Sequence, residues 1–117
     1  DIPSVTADPN QLKQVLINLL MNSIQAMPDG GRIDIEIFPS ENDPGFVTLA
    51  IKDTGKGIPE ADLQYIFKPF FSRKGEQGTG LGMFMARRLI QGMGGFISIE
   101  SEVDRGTTVT LKLAAVE

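Results

Sequence analysis

From residue 9 onward, apolar residues recur at steps of three and four: Leu12, Val15, Leu16, Leu19, Leu20, Ile24 and Met27. At about 100° per residue they share one broad arc, which predicts an amphipathic helix. Asp8 is a natural N-cap and Pro9 suits the first helical position. Pro28 and the turn Asp29-Gly30-Gly31 end the helix. Alternating runs follow at residues 32–38 (RIDIEIF), 46–53 (FVTLAIKD), 96–101 (FISIES) and 107–113 (TTVTLKL). Each reads as a strand. The loop PSENDPG joins the first two as a hairpin connection. A second helix is predicted from about Leu81 to Gly92, and a short one starts at Pro59.

Strand parity carries the architecture. Ile33, Ile35 and Ile37 share one face while Asp34 and Glu36 take the other; Val109, Leu111 and Leu113 oppose Thr108, Thr110 and Lys112. A sheet with one apolar and one polar face has helices on one side and water on the other. The expected fold is therefore a two-layer α/β sandwich with a mixed, largely antiparallel sheet, its helices packed on one face. A doubly wound fold would need both faces apolar.

The 117 residues suffice for one domain with one core, spanning 1–117. A net charge of −4 argues against a nucleic-acid surface. With no cysteine there is no disulfide framework and no thiolate zinc site. Histidine is also absent, which removes the commonest general base. No run approaches the ~20 apolar residues of a membrane span, and no signal peptide is expected within these residues. The chain starts at Asp1 without a methionine, so it is expected to be a piece of a longer protein.

Three polar groups fall on the inner side. Gln11, Gln14, Asn18, Asn22 and Gln25 form a neutral amide stripe along the first helix. It reads either as an exposed polar face or as the lining of a polar cavity, where amide oxygens suit a hard cation such as Mg²⁺. In DTGKGIP (53–59), Asp53 shares parity with Val47, Leu49 and Ile51, so it points toward the apolar layer as its strand ends. Such a carboxylate needs a donor: either its own Asp-Gly turn or a ligand, for which the exocyclic amine of adenine is suitable. Gly55 and Gly57 leave space beside it. Thr107 shares parity with Val109, Leu111 and Leu113 and also points inward, as a satisfied core hydroxyl or as part of a pocket.

Between them lies IFKPFFSRKGEQGTG, with Phe67, Phe70 and Phe71 followed by Arg73-Lys74 and a glycine-rich stretch. It reads as a surface loop with a hydrophobic anchor, or as a lid closed by phosphate contacts. The glycines match neither the dinucleotide fingerprint nor the P-loop. On the lid reading, Gly75 and Gly78 let it move, and residues 72–79 should be the least ordered part of the nucleotide-free protein.

In order and spacing these segments resemble the ATP-binding catalytic domain of sensor histidine kinases. The wider group has the Bergerat ATP fold, shared by type II topoisomerases, the Hsp90 chaperones and MutL-type repair ATPases. NLLMNSIQAM is similar to the N box, DTGKGIP to the G1 box, IFKPFF to the F box and GTGLGM to the G2 box; RGTTVTL resembles the final glycine-threonine segment. The resemblance implies that Asn22 coordinates Mg²⁺ bridging the ATP phosphates, with Asn18 one turn earlier on the same face, both in the catalytic set with Lys74. Asp53 would accept from the adenine amine, with Thr107 helping through water, and Gly55, Gly57 and Ile58 would line the base and sugar. Gly78, Thr79, Gly80, Leu81 and Gly82 would bring amides at the start of the second helix to the phosphates. Lys74 would reach the phosphates from an ATP lid at about residues 67–80.

One position separates the relatives. Topoisomerase, chaperone and repair ATPases carry a glutamate, the general base for water, where this chain has Asn18. That replacement, together with the F box, implies phosphoryl transfer to a histidine rather than hydrolysis. Since the chain has no histidine, the acceptor is expected on a separate dimerisation domain, phosphorylated in cis or in trans. A response regulator would be served by the full-length kinase of a two-component system. The domain alone is expected to be monomeric and cytoplasmic, whether or not its parent is anchored in a membrane. The alternatives are an ATP hydrolase of the same fold and a nucleotide-sensing module.

Overall fold

The computed structural model describes residues 8–40, 42–69 and 82–115. Helix α1 (Pro9–Gln25) begins as expected: Asp8 Oδ1 accepts from the backbone N–H of Asn10 at 2.9 Å and of Gln11 at 3.3 Å. Strands β1 (Ile33–Pro39) and β2 (Phe46–Asp53) form a hairpin. A short helix α2 (Glu60–Leu63) precedes α3 (Gly82–Gly92), and β3 (Phe96–Glu102) and β4 (Gly106–Ala114) form a second hairpin. Past the end of α3, Gly94 takes φ +78 and donates to the Gln91 carbonyl at 3.0 Å, while Gly95 donates to Ile90 at 2.9 Å. This pair of bonds is the Schellman stop, which a left-handed glycine permits.

The sheet runs β1-β2-β4-β3, with every pairing antiparallel. The mixed character expected from sequence is therefore absent among the described residues. Two pairings are hairpins, which can only be antiparallel. The third brings β4 back beside β2.

The core lies between the inner sheet face and two helices. Val15 and Leu19 of α1 and Met83, Ala86 and Ile90 of α3 close over Leu49, Ile51, Val109, Leu111 and Leu113. Coverage stops short of the β1 edge, where Ile35 and Ile37 share the inner face yet are about half exposed. Ile24, at the margin of the apolar arc of α1, is exposed too. The outer face is polar along most of its length, as parity predicts. At one end, however, it carries Phe38, Phe46 and Phe96, with the rings of Phe46 and Phe96 5.7 Å apart and an ion pair between Lys112 and Asp43 alongside. Among the described residues no helix is long and apolar enough to cross a membrane.

Candidate functional site

The site forms where β2 ends, β4 begins and α1 runs past both. Asp53 is 3% exposed and Thr107 is 8% exposed. They are direct partners in the β2–β4 register, so both side chains stand on the inner face. Asp53 Oδ1 accepts two backbone N–H groups, from Gly55 at 2.9 Å and from Thr107 at 3.2 Å. No described residue donates to Oδ2. Among the described residues no buried side-chain nitrogen or oxygen lacks a partner. The inward Asp53 read from sequence thus has one oxygen held by Gly55 and Thr107 and one to which no described residue donates.

The loop after Asp53 is strapped on three sides. Thr54 N–H donates to the Arg32 carbonyl at 3.1 Å and Lys56 N–H to the Ala26 carbonyl at 3.0 Å, while the Lys56 carbonyl accepts from Asp104 at 2.8 Å. These contacts revise the reason for the two glycines. A Cβ on Gly55 would stand 2.7 Å from Ala26, and one on Gly57 (φ +74) 2.0 Å from the Glu102 carbonyl oxygen. The space the absent side chains leave is taken by Ala26, by the end of β3 and, at Gly55, also by Asp53 Oδ1, 3.0 Å from where that Cβ would stand. Only backbone atoms of Gly55 and Gly57 remain to meet a ligand.

Ser101, not foreseen as a site residue, completes the row. On β3 it is the register partner of Thr107, which in turn partners Asp53. Its Oγ accepts from Ile58 N–H at 2.7 Å, donates to the Gly106 carbonyl at 3.0 Å and lies 2.7 Å from Thr107 Oγ1. Ile58, expected to line the base, is thereby fixed to β3 and half-buried. The signal was available: Ser101 continues the inward parity of Ile97 and Ile99.

The amide stripe of α1 turns toward the start of α3. Asn18 Oδ1 accepts from Gln14 Nε2 at 3.1 Å, and its Nδ2 donates to the Gly82 carbonyl at 3.5 Å. One turn on, Asn22 is exposed, with Oδ1 4.0 Å from where a Cβ on Gly82 would stand. Gln25 is exposed, while Gln11 borders a groove with Phe84, Met85 and Arg88. Asn18, Asn22 and Gly82 thus come together, while Asp53 and Thr107 stand side by side where β2 ends and β4 begins. Among the described residues no cluster of three His, Cys, Asp or Glu could hold a metal unaided.

The remaining expected contacts, Lys74, Gly78, Thr79, Gly80 and Leu81, lie outside the described residues, as do Phe70, Phe71, Arg73, Gly75 and the expectation for residues 72–79. The segment's anchor is described: Phe67 packs partly buried against the core, with the Arg87 guanidinium 5.3 Å from its ring.

Known proteins resemble the chain in sequence and in fold. Residues 7–117 match the family described as histidine kinase-, DNA gyrase B-, and HSP90-like ATPase. Sporulation kinase E of Bacillus subtilis is 42% identical over 113 residues, covering 97% of this chain and 15% of that protein. Sensor histidine kinase ZraS of Escherichia coli is 41% identical over 112 residues, covering 96% of this chain and 23% of that one. The chain thus spans less than a quarter of the length of either relative. Among solved structures, the mycobacterial sensor histidine kinase MprB superposes with a TM-score of 0.82 at 27% identity, over 93% of this chain and 73% of that chain. The catalytic domain of histidine kinase ThkA gives 0.80 at 34% identity, over 95% and 71%.

Proposed function

Since the chain belongs to the histidine kinase-, DNA gyrase B-, and HSP90-like ATPase family, we propose that it is the catalytic ATP-binding domain of a sensor histidine kinase. In this reading it binds Mg-ATP and passes the γ-phosphoryl group to a histidine on a separate dimerisation domain. The observation that carries the reading is the buried Asp53, with one oxygen held by two backbone N–H groups and the other given no donor by any described residue. A carboxylate oxygen to which no described residue donates can accept a hydrogen bond from an amine such as that of adenine. Thr107 stands beside it to share that task.

At the other end the triphosphate meets α1 and the first turn of α3. The α3 N-terminus favours anions through its unpaired amides, and Gly78, Thr79, Gly80, Leu81 and Lys74 of the lid are proposed to join it. The exposed amide oxygen of Asn22 would hold Mg²⁺, a cation usually bound by few protein oxygens together with phosphates and water. When bound, Mg²⁺ supplies charge neutralisation on the triphosphate. Asn18 cannot accept a proton, so the chain has no base on α1 to activate water. An imidazole needs less help: its nitrogen bonds to the γ-phosphorus while the bond to the β,γ-bridging oxygen breaks, leaving ADP. The chain's part is positioning and electrostatic stabilisation.

The chain has no histidine, so the phosphorylated residue lies on the dimerisation domain, reached in cis or in trans. From there the phosphoryl group passes to a response regulator of a two-component system, on the cytoplasmic side where ATP is found. The test is to incubate the chain with Mg-ATP, alone and with an added histidine-containing dimerisation domain. Nucleotide binding with little hydrolysis is expected alone, and phosphohistidine when the second domain is present. Rapid ATP hydrolysis by the chain alone would instead favour an energy-transducing ATPase.

A further inference from the structure

Building on the reading of Asp53 and Thr107 as the base-binding pair, we propose that Ser101 is a positioning residue that sets which base the site accepts. It takes up the hydroxyl proton of Thr107, leaving both Thr107 and Asp53 as hydrogen-bond acceptors toward the base.

The inference follows from counting protons. Ser101, Thr107 and Asp53 stand in one row across β3, β4 and β2 on the inner face. A serine hydroxyl has one proton to give and two lone pairs to receive. One lone pair takes the Ile58 N–H at 2.7 Å. The proton goes to the Gly106 carbonyl at 3.0 Å, a group that can only accept. Either hydroxyl could donate across the 2.7 Å contact between the two oxygens; with the Ser101 proton on Gly106, we assign that contact to the proton of Thr107. Thr107 has no second proton, so what it offers the cleft is a lone pair.

Asp53 reaches the same state by another route. Its Oδ1 is occupied by the backbone N–H groups of Gly55 and Thr107, and its Oδ2 is an acceptor. A site end with two acceptors and no donor fits a base edge bearing an amine. It repels a carbonyl in the same place, because an acceptor facing an acceptor leaves both unpaired. The adenine amine has two protons, one for each of the two acceptors; hypoxanthine, the base of ITP, has in that place a carbonyl with none. Without the Ser101 oxygen, the Thr107 hydroxyl is released and can turn its proton toward a carbonyl. The preference for ATP over ITP should then shrink.

A purely structural Ser101 predicts something else. Losing its bond to Ile58 would loosen the loop and weaken both nucleotides alike, so the ratio of affinities separates the two roles. The experiment is calorimetric titration of the 117-residue chain with ATP and with ITP, each in the presence of Mg²⁺. The parent should prefer ATP, and Ser101→Ala should lower the ATP-to-ITP ratio by about tenfold. Ser101→Thr keeps the hydroxyl and should hold the ratio near the parent's. Ser101→Cys keeps the size with a weakly accepting sulfur. It should follow Ser101→Ala, and it stands in if the alanine variant does not fold. In a Thr107→Val background Ser101→Ala should leave the ratio unchanged, since its effect passes through Thr107. A parental ratio in both Ser101→Ala and Ser101→Cys, with the two nucleotides weakened equally, overturns the proposal. A parent chain that binds neither nucleotide defeats the base-site reading itself, and the role of Ser101 with it.

Discussion

Thr107 donates its backbone N–H to Asp53 Oδ1 at 3.2 Å, across the register that makes the two residues partners on β4 and β2. With the Gly55 N–H at 2.9 Å, this ties the loop after β2 to the start of β4 through one carboxylate oxygen. Asp53→Ala strands two buried donors, at about 1–3 kcal/mol each. Asp53→Asn keeps an oxygen for them but turns an N–H₂ group toward the ligand. Both variants should lose ATP binding by calorimetry. The alanine variant should also melt lower, by roughly 4–8 °C per kcal/mol lost, with a smaller drop for asparagine. Parental affinity in either variant would remove Asp53 from the site.

Two of the positive-φ glycines near the site, Gly30 and Gly57, differ in what surrounds them. Gly30 (φ +94) has nothing within 4 Å of a built Cβ, whereas at Gly57 (φ +74) that atom would lie 2.0 Å from the Glu102 carbonyl oxygen. Gly30→Ala should therefore cost only the backbone strain, about 1–2 kcal/mol. Gly57→Ala must also push the β3–β4 turn away, and should cost roughly 3 kcal/mol or more and weaken nucleotide binding. Urea denaturation of the two variants measures the difference. Equal costs would mean that the turn yields freely.

What the sequence made legible was local. Alternation located all four strands to within a residue or two, and Asp8-Pro9 marked the start of α1, because caps and parity are properties of neighbours along the chain. The inward Asp53 and Thr107 were legible for the same reason. Ser101 carried the same parity signal, yet a serine at a strand end asks for no explanation until its partners are seen. The glycines of the G1 segment could be seen to need room, but not to need it for Ala26 and Glu102. Which backbone approaches a glycine is decided by residues far away in sequence. The same limit explains Ile24, Ile35 and Ile37: periodicity names the face a side chain takes, not whether a helix reaches far enough to cover it.

Ile35 and Ile51 show the consequence for stability. They are register partners on the same face, but Ile51 is 1% exposed beneath the helices and Ile35, one strand outward, is 52% exposed. Ile51→Ala removes a filled core volume and should cost about 2–5 kcal/mol. Ile35→Ala loses only part of its apolar burial and should cost under ~1.5 kcal/mol. Chemical denaturation of the pair checks this. A cost at Ile35 equal to that at Ile51 would show that the β1 edge is covered in solution.

Asn18 and Asn22 are one helical turn apart, and their surroundings assign them separate work. Asn18 is tied into the protein by Gln14 and the Gly82 carbonyl, whereas Asn22 is exposed with its oxygen near Gly82. Asn18→Ala should cost about 0.5–1.5 kcal/mol of stability through the lost hydrogen bonds and leave the Mg²⁺ dependence of ATP binding intact. Asn22→Ala should leave stability within ~0.5 kcal/mol and abolish that dependence. The measurement is ATP affinity with Mg²⁺ and with EDTA, beside a thermal melt. In the parent, EDTA should weaken binding; in Asn22→Ala the two conditions should give the same weak affinity. If Asn22→Ala still responds fully to Mg²⁺, the cation is held by the phosphates and other groups, and the exposed amide is surface. If Asn18→Ala is the variant that loses the response, the two residues exchange roles. The contact with Gly82 would then be a resting position that Asn18 leaves when nucleotide binds.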